Sequence, residues 1–178
     1  MKIPQLELGR DEILQQAYEL GFRYEQTASG CAQCVLAAIQ DLFGIIDDNL
    51  FKAGQILAAG GALSGCGSCG ALNGGLLVLS RQFGRDRKTF NEGKSLISSQ
   101  IIGKKLYDRF KREFGSCICQ DVQKRIMGES YNLWDPIENE EFLKNGGHKD
   151  KCPDVVGKVT SWTAELLMDN LSQIENLK

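Results

Sequence analysis

Apolar positions recur along this chain at helical spacing. Ile13, Ala17, Leu20 and Tyr24 follow that period, and Gly9-Arg10-Asp11 ahead of them suits a helix start. A second helix is expected from about Ser29 to Phe43, stopped by Gly44. Asp48 is placed to cap a third, carrying Leu50, Ala53 and Leu57. A glycine-rich passage then runs from Gly60 to Gly75. Beyond it a short helix is expected through Leu76, Leu79 and Phe83, ending at Gly84. A long helix follows from about Arg87 to Phe114, with Ile97, Ile101, Leu106 and Phe110 facing inward and Gly115 as its stop. Cys119 to Met127 reads as a short helix. Residues 128–150 are polar, with Glu138, Glu140, Glu141, Gly146 and Gly147, and read as a loop or mobile flap. Pro153 opens the last helix, whose inner stripe is Val155, Val159, Trp162 and Leu166.

No stretch alternates apolar and polar residues over a useful strand length. Ile56 to Leu63 is apolar but rich in Ala and Gly rather than β-branched residues, which suits a strand poorly. The pattern therefore reads as all-α, one domain over residues 1–178, a helical bundle of about six to seven helices.

Composition narrows the function classes. The 178 residues are 42% apolar and 25% charged, as in ordinary globular proteins. Net charge is −2, without the basic excess of a nucleic-acid binder. Basic residues cluster at Arg81–Lys88 and Lys104–Arg112, but acidic neighbours interleave, as on solvated helix faces. The apolar runs are far too short to span a bilayer, so no membrane insertion is expected. No apolar stretch follows the basic start, so no signal peptide is expected and a cytoplasmic location is.

The chain holds seven Cys and only one His. An odd number argues against a fully paired disulfide framework, and in a reducing compartment clustered cysteines point to metal or redox chemistry. Cys31, Cys69, Cys119 and Cys152 each fall at or near a predicted helix start. Free amide N–H groups and the helix dipole there favour a thiolate, the form that attacks disulfides and binds soft metals. Convergence of these starts would build a four-thiolate site. Cys34, one turn from Cys31 beside Val35 and Ala38, fits core packing, while Cys66 and Cys117 fit packing or chemistry equally. Two C-x-x-C pairs also occur in zinc ribbons, but the first lies in a helix here and the pairs are far apart.

Gly65 to Gly70 fits G-x-G-x-x-G, with Asp86 beyond it, yet no strand precedes it and no NAD site is expected. Gly70, Gly74 and Gly75 allow close approach of another helix or of a group held by Cys69. His148 reads as a solvated loop histidine, with Tyr131 and Trp134 packing the flap down and Trp162 in the core. Walker A, paired catalytic carboxylates and a serine nucleophile elbow are missing.

Cys69-Gly70-Ala71-Leu72-Asn73-Gly74 resembles the C-G-A-x-x-G signature of the redox-active protein family named for the pattern C_GCAxxG_C_C. Cys31 matches the cysteine before that signature, and Cys119 and Cys152 resemble the two after it, so the likeness spans about residues 28–168. A similar domain in split-Soret cytochromes, with an iron–sulfur centre, implies a cluster role. No C-x-x-C-H is present, so covalent haem is not expected. Cys34, Cys66 and Cys117 fall outside the four.

Three functions stay open. The first is electron transfer through an iron–sulfur cluster on Cys31, Cys69, Cys119 and Cys152, with Gly70 and Gly74 giving it room and a redox protein as partner. The second is thiol–disulfide exchange, with Cys69 attacking and Cys66 resolving, or with Cys31 and Cys34 in those roles. The third is a non-catalytic module, holding structural zinc or simply packing its cysteines. A homodimer through the Ala/Gly stretch at 58–62 is a further expectation.

Overall fold

The computed structural model describes residues 9–175, with side chains through Leu171. Among these are nine α-helices and no strand. They are α1 (Arg10–Thr27), α2 (Cys31–Phe43), α3 (Asp48–Ala53), α4 (Gly70–Phe83), α5 (Arg87–Asn91), α6 (Ile97–Phe114), α7 (Cys119–Met127), α8 (Pro136–Lys144) and α9 (Cys152–Glu175). A 3₁₀ segment, Gln55–Gly60, follows α3, and a π-helical turn, Gly147–Lys151, leads into α9. The all-α class stands, and the helix count exceeds the six to seven expected.

Caps account for most boundaries. Gly44 and Gly115 close α2 and α6 in the left-handed conformation. Asp47, not Asp48, caps α3, its carboxylate accepting from the amides of Asn49 at 3.1 Å and Leu50 at 3.0 Å. Leu57 consequently falls outside α3, in the 3₁₀ segment. The helix α4 begins well before Leu76, inside the glycine-rich passage.

Two expectations fail. The long helix from Arg87 is broken, because Asp86 caps only the short α5 and Gly93 leaves it with φ of 66°. The chain re-enters a helix at Ile97. Ile102, Leu106, Phe110 and Phe114 form the inner stripe, while Ile97 and Ile101 are exposed. Residues 128–150 are not a loop. Asp135 accepts from the amides of Ile137 and Glu138, Pro136 takes the first position of α8, and Phe142 is buried beneath it. That cap signal is local and was present in the sequence.

One hydrophobic core joins α1, α2, α4, α6, α7 and α9. Helix α9 lies along α1, and α4 packs against α2, α6 and α9. Val155, Val159 and Trp162 are buried as expected, and Leu166 packs at the margin. The α2–α4 crossing is close because of Gly74. A Cβ there would stand 2.6 Å from Ala32 O and 3.0 Å from Val35 Cβ. Only a glycine lets these two backbones approach so closely.

Candidate functional site

The close crossing of α2 and α4 brings their N-terminal ends together. Cys31 is the first residue of α2 and Cys69 is the N-cap of α4. The amides of Ala71 and Leu72 face the Cys69 sulfur and favour negative charge on it, without closing a side-chain cap hydrogen bond. The Cys31 sulfur accepts from the amides of Ala32 and Ala59. It rests directly on Gly70, where any Cβ would collide with it.

A short antiparallel contact adds the third cysteine. Ser68 faces Ile118, with Cys69 N donating to Cys117 O at 2.8 Å and Cys119 N to Gly67 O at 2.9 Å. This pins the start of α7 beside the start of α4. Cys119 is the first residue of α7, and Gln123, one turn on, directs its amide nitrogen at the Cys119 sulfur, 3.6 Å away. Cys152 arrives from the far end of the sequence as the first residue of α9.

All four open onto one cavity of about 540 Å³. Glu25, Gln123 and His148 line its interior as well, and Ile56, Leu63 and Trp134 stand at exposed positions on its wall. No Lys or Arg borders it among the described residues. Four described non-glycine residues have positive φ: Ser29 (55°), Ala59 (46°), Ala62 (48°) and Leu63 (57°). Every one of them borders this cavity. Such backbone strain, of order 1–3 kcal/mol per residue, tends to collect at functional sites.

The remaining three cysteines go elsewhere. Cys34 is buried and its thiol donates to Ser29 O at 3.2 Å. Cys117 pairs with the Tyr107 hydroxyl at 3.0 Å. Cys66 is exposed and lies outside the cavity wall.

The sulfurs' protonation departs from the helix-start argument. Burial pushes Cys69 and Cys119 up to about 12, aided by each thiol's charged neighbours. Burial, then the Glu25 carboxylate, lifts Cys31 and Cys152 well above the ordinary thiol range. Desolvation outweighs the amide donors, so without a cation these are thiols rather than thiolates.

A sequence model for the family described as "Putative redox-active protein (C_GCAxxG_C_C)" matches residues 29–166. The chain belongs to this family. The C_GCAxxG_C_C cysteines are those on the cavity wall, and the glycines of the signature act through packing. Gly74 lets α2 approach α4 and Gly70 seats the Cys31 sulfur, but neither borders the cavity. No curated protein and no solved structure matches the chain.

Other readings also change. His148 is not a solvated loop residue. Its Nδ1 lies 3.2 Å from Glu25 Oε1, and its ring stands edge-on to Phe142 with centroids 5.2 Å apart. Tyr131 is buried as the packing reading has it, whereas Trp134 is exposed and holds the 3₁₀ region through Nε1–H donated to Ala62 O at 2.9 Å. Ala58, Ala59 and Ala62 border the cavity. Glu25 went unnoticed in sequence. Its signal was a carboxylate in phase with Ile13, Ala17 and Gly21 on the buried face of α1. No described helix is long and apolar enough to cross a membrane.

Proposed function

We propose that this redox-active family member transfers electrons through an iron–sulfur group held by Cys31, Cys69, Cys119 and Cys152. Four sulfurs carried from four helix starts to the wall of one cavity support this reading. An iron–sulfur group bound there would supply a one-electron redox centre, the chemistry Cys₄ sites provide.

The chain's own residues do three things for it. The amides of Ala32, Ala59, Ala71 and Leu72 point at two of the sulfurs and stabilise negative charge on them. The raised thiols release protons when a cation replaces them, so loading is expected to acidify the medium. The cavity wall shields the site, and a redox partner protein meets it at the mouth, near exposed Ile56 and Trp134.

A cavity of about 540 Å³ with four cysteines on its wall has room for a group several atoms across, whereas a lone zinc ion would need the sulfurs about 2.3 Å from one point. Thiol exchange fits less well, since Cys69, held near 12, keeps its proton at neutral pH and Cys66 lies outside the cavity wall.

Anaerobic purification followed by iron, acid-labile sulfide and visible-spectrum measurements tests the proposal. A brown protein with near-stoichiometric iron and sulfide is expected. Loading should be lost in Cys31→Ser, Cys69→Ser, Cys119→Ser and Cys152→Ser, and kept in Cys66→Ser. A colourless wild type overturns the proposal. Tightly bound zinc without a redox couple would favour the structural-metal reading, and disulfide-reductase turnover abolished by Cys69→Ser would favour exchange.

A further inference from the structure

We propose that Glu25 is a metal ligand in the cysteine cavity, giving the site a mixed sulfur and oxygen donor set. This deepens the iron–sulfur reading and rests on it. Residue 25 lies outside the family match, which begins at residue 29, so the cysteine signature does not include it.

Glu25 is only 2% exposed, on the inner face near the end of α1. Its side chain borders the same cavity as the four cysteines. Oε2 is buried and has no hydrogen-bond partner. Oε1 has His148 Nδ1 at 3.2 Å, but that nitrogen too lacks an aligned hydrogen bond. A buried carboxylate in this state is unfavourable unless something compensates its charge.

Beyond the Cys34 thiol, which lies against the Glu25 carboxylate, the cavity offers no compensation. No Lys or Arg borders it among the described residues, and its other ionisable groups are thiols and His148. An iron of the bound group within reach of Oε2 would pair with the free carboxylate oxygen. Iron accepts oxygen and nitrogen donors as well as thiolate, so a carboxylate beside four cysteines would make one iron chemically distinct from its neighbours.

The test is Mössbauer spectroscopy of full-length protein reconstituted anaerobically with ⁵⁷Fe and sulfide, as wild type, Glu25→Gln and Glu25→Asp. Circular dichroism checks the fold of each. Wild type should show one iron subsite with parameters unlike sulfur-only coordination. Glu25→Gln should lose that subsite, and Glu25→Asp, shorter by one methylene, should shift it. If Glu25→Gln does not fold, the Glu25→Asp spectrum decides. Iron-loaded spectra identical in all folded proteins would overturn the Glu25 ligand and leave the iron–sulfur reading intact. A changed midpoint potential with unchanged subsites would also overturn it, since the carboxylate would then act through charge alone. Wild type that binds no iron would overturn both.

Discussion

Replacing Gly74 by alanine tests the crossing that sets Cys31 near Cys69. The new Cβ would lie 2.6 Å from Ala32 O, 3.0 Å from Ala32 Cα and 3.0 Å from Val35 Cβ. Two of these atoms are main chain and the third is a branch point, so none can swing aside and α2 itself must move. Overpacking of this kind costs roughly 1–3 kcal/mol, and a backbone obstacle puts the cost near the upper end. Alanine's better helix propensity offsets about 1 kcal/mol of that. The net loss is therefore about 2 kcal/mol. In a chain of this length each kcal/mol moves Tm by about 2–4 °C, so the metal-free protein should melt about 4–8 °C lower. Gly103→Ala is the matched control. It lies inside α6, where the Cβ would be 3.4 Å from Leu76 Cδ2, an ordinary contact. Propensity alone acts there, and Tm should rise by about 2–4 °C. Thermal melts of both variants, followed by circular dichroism under reducing conditions, give the answer. Shifts of the same sign in the two would refute the reasoning. Because α2 carries Cys31 and α4 carries Cys69, Gly74→Ala should also take up less iron than Gly103→Ala.

Other consequences follow from the thiols and the cavity wall. Burial raises Cys69 and Cys119 from 9.0 to about 12, and a raised pKa stabilises the fold below the unfolded value and is lost as pH climbs through the folded one. Urea midpoints of the metal-free protein should thus be level below pH 9 and fall between pH 9 and 12, with a slope of about 1.4 kcal/mol per pH unit for each thiol; a flat profile would contradict the burial argument. Iodoacetamide at neutral pH should label exposed Cys66 well before buried Cys34, Cys69 and Cys119, read by peptide mapping, and equal rates would show that the buried thiols are accessible. Trp134→Phe removes the exposed bond to Ala62 O, so stability should change by less than about 1 kcal/mol while amide exchange near Leu63 quickens; unchanged exchange would mean that the indole does not hold this wall.

The sequence by itself determined the all-α class and the helix starts at its cysteines. Caps and stops act over four or five residues, so Gly44, Gly115 and the run Cys119–Met127 were legible without the fold. The four-cysteine pattern was legible as well, because its order along the chain needs no coordinates. Asp135-Pro136 was equally local, yet its polar surroundings masked it as a loop. Phase was harder. Ile97 and Ile101 share the unbroken α6 with Leu106 and Phe110, but the inner stripe keeps the four-residue spacing 102, 106, 110 and 114, which leaves 97 and 101 on another face.

What only the tertiary structure decided is the company each residue keeps. Glu25 and His148 stand 123 positions apart in sequence and meet at one cavity wall. The roles of Gly70 and Gly74 depend on a helix crossing that neither position reveals alone. The direction of the thiol pKa values belongs here too. A helix start favours thiolate through amides close in sequence, and those amides are present. Desolvation by α1, α2, α4, α7 and α9 together outweighs them, and no local pattern records how deeply a side chain will be enclosed.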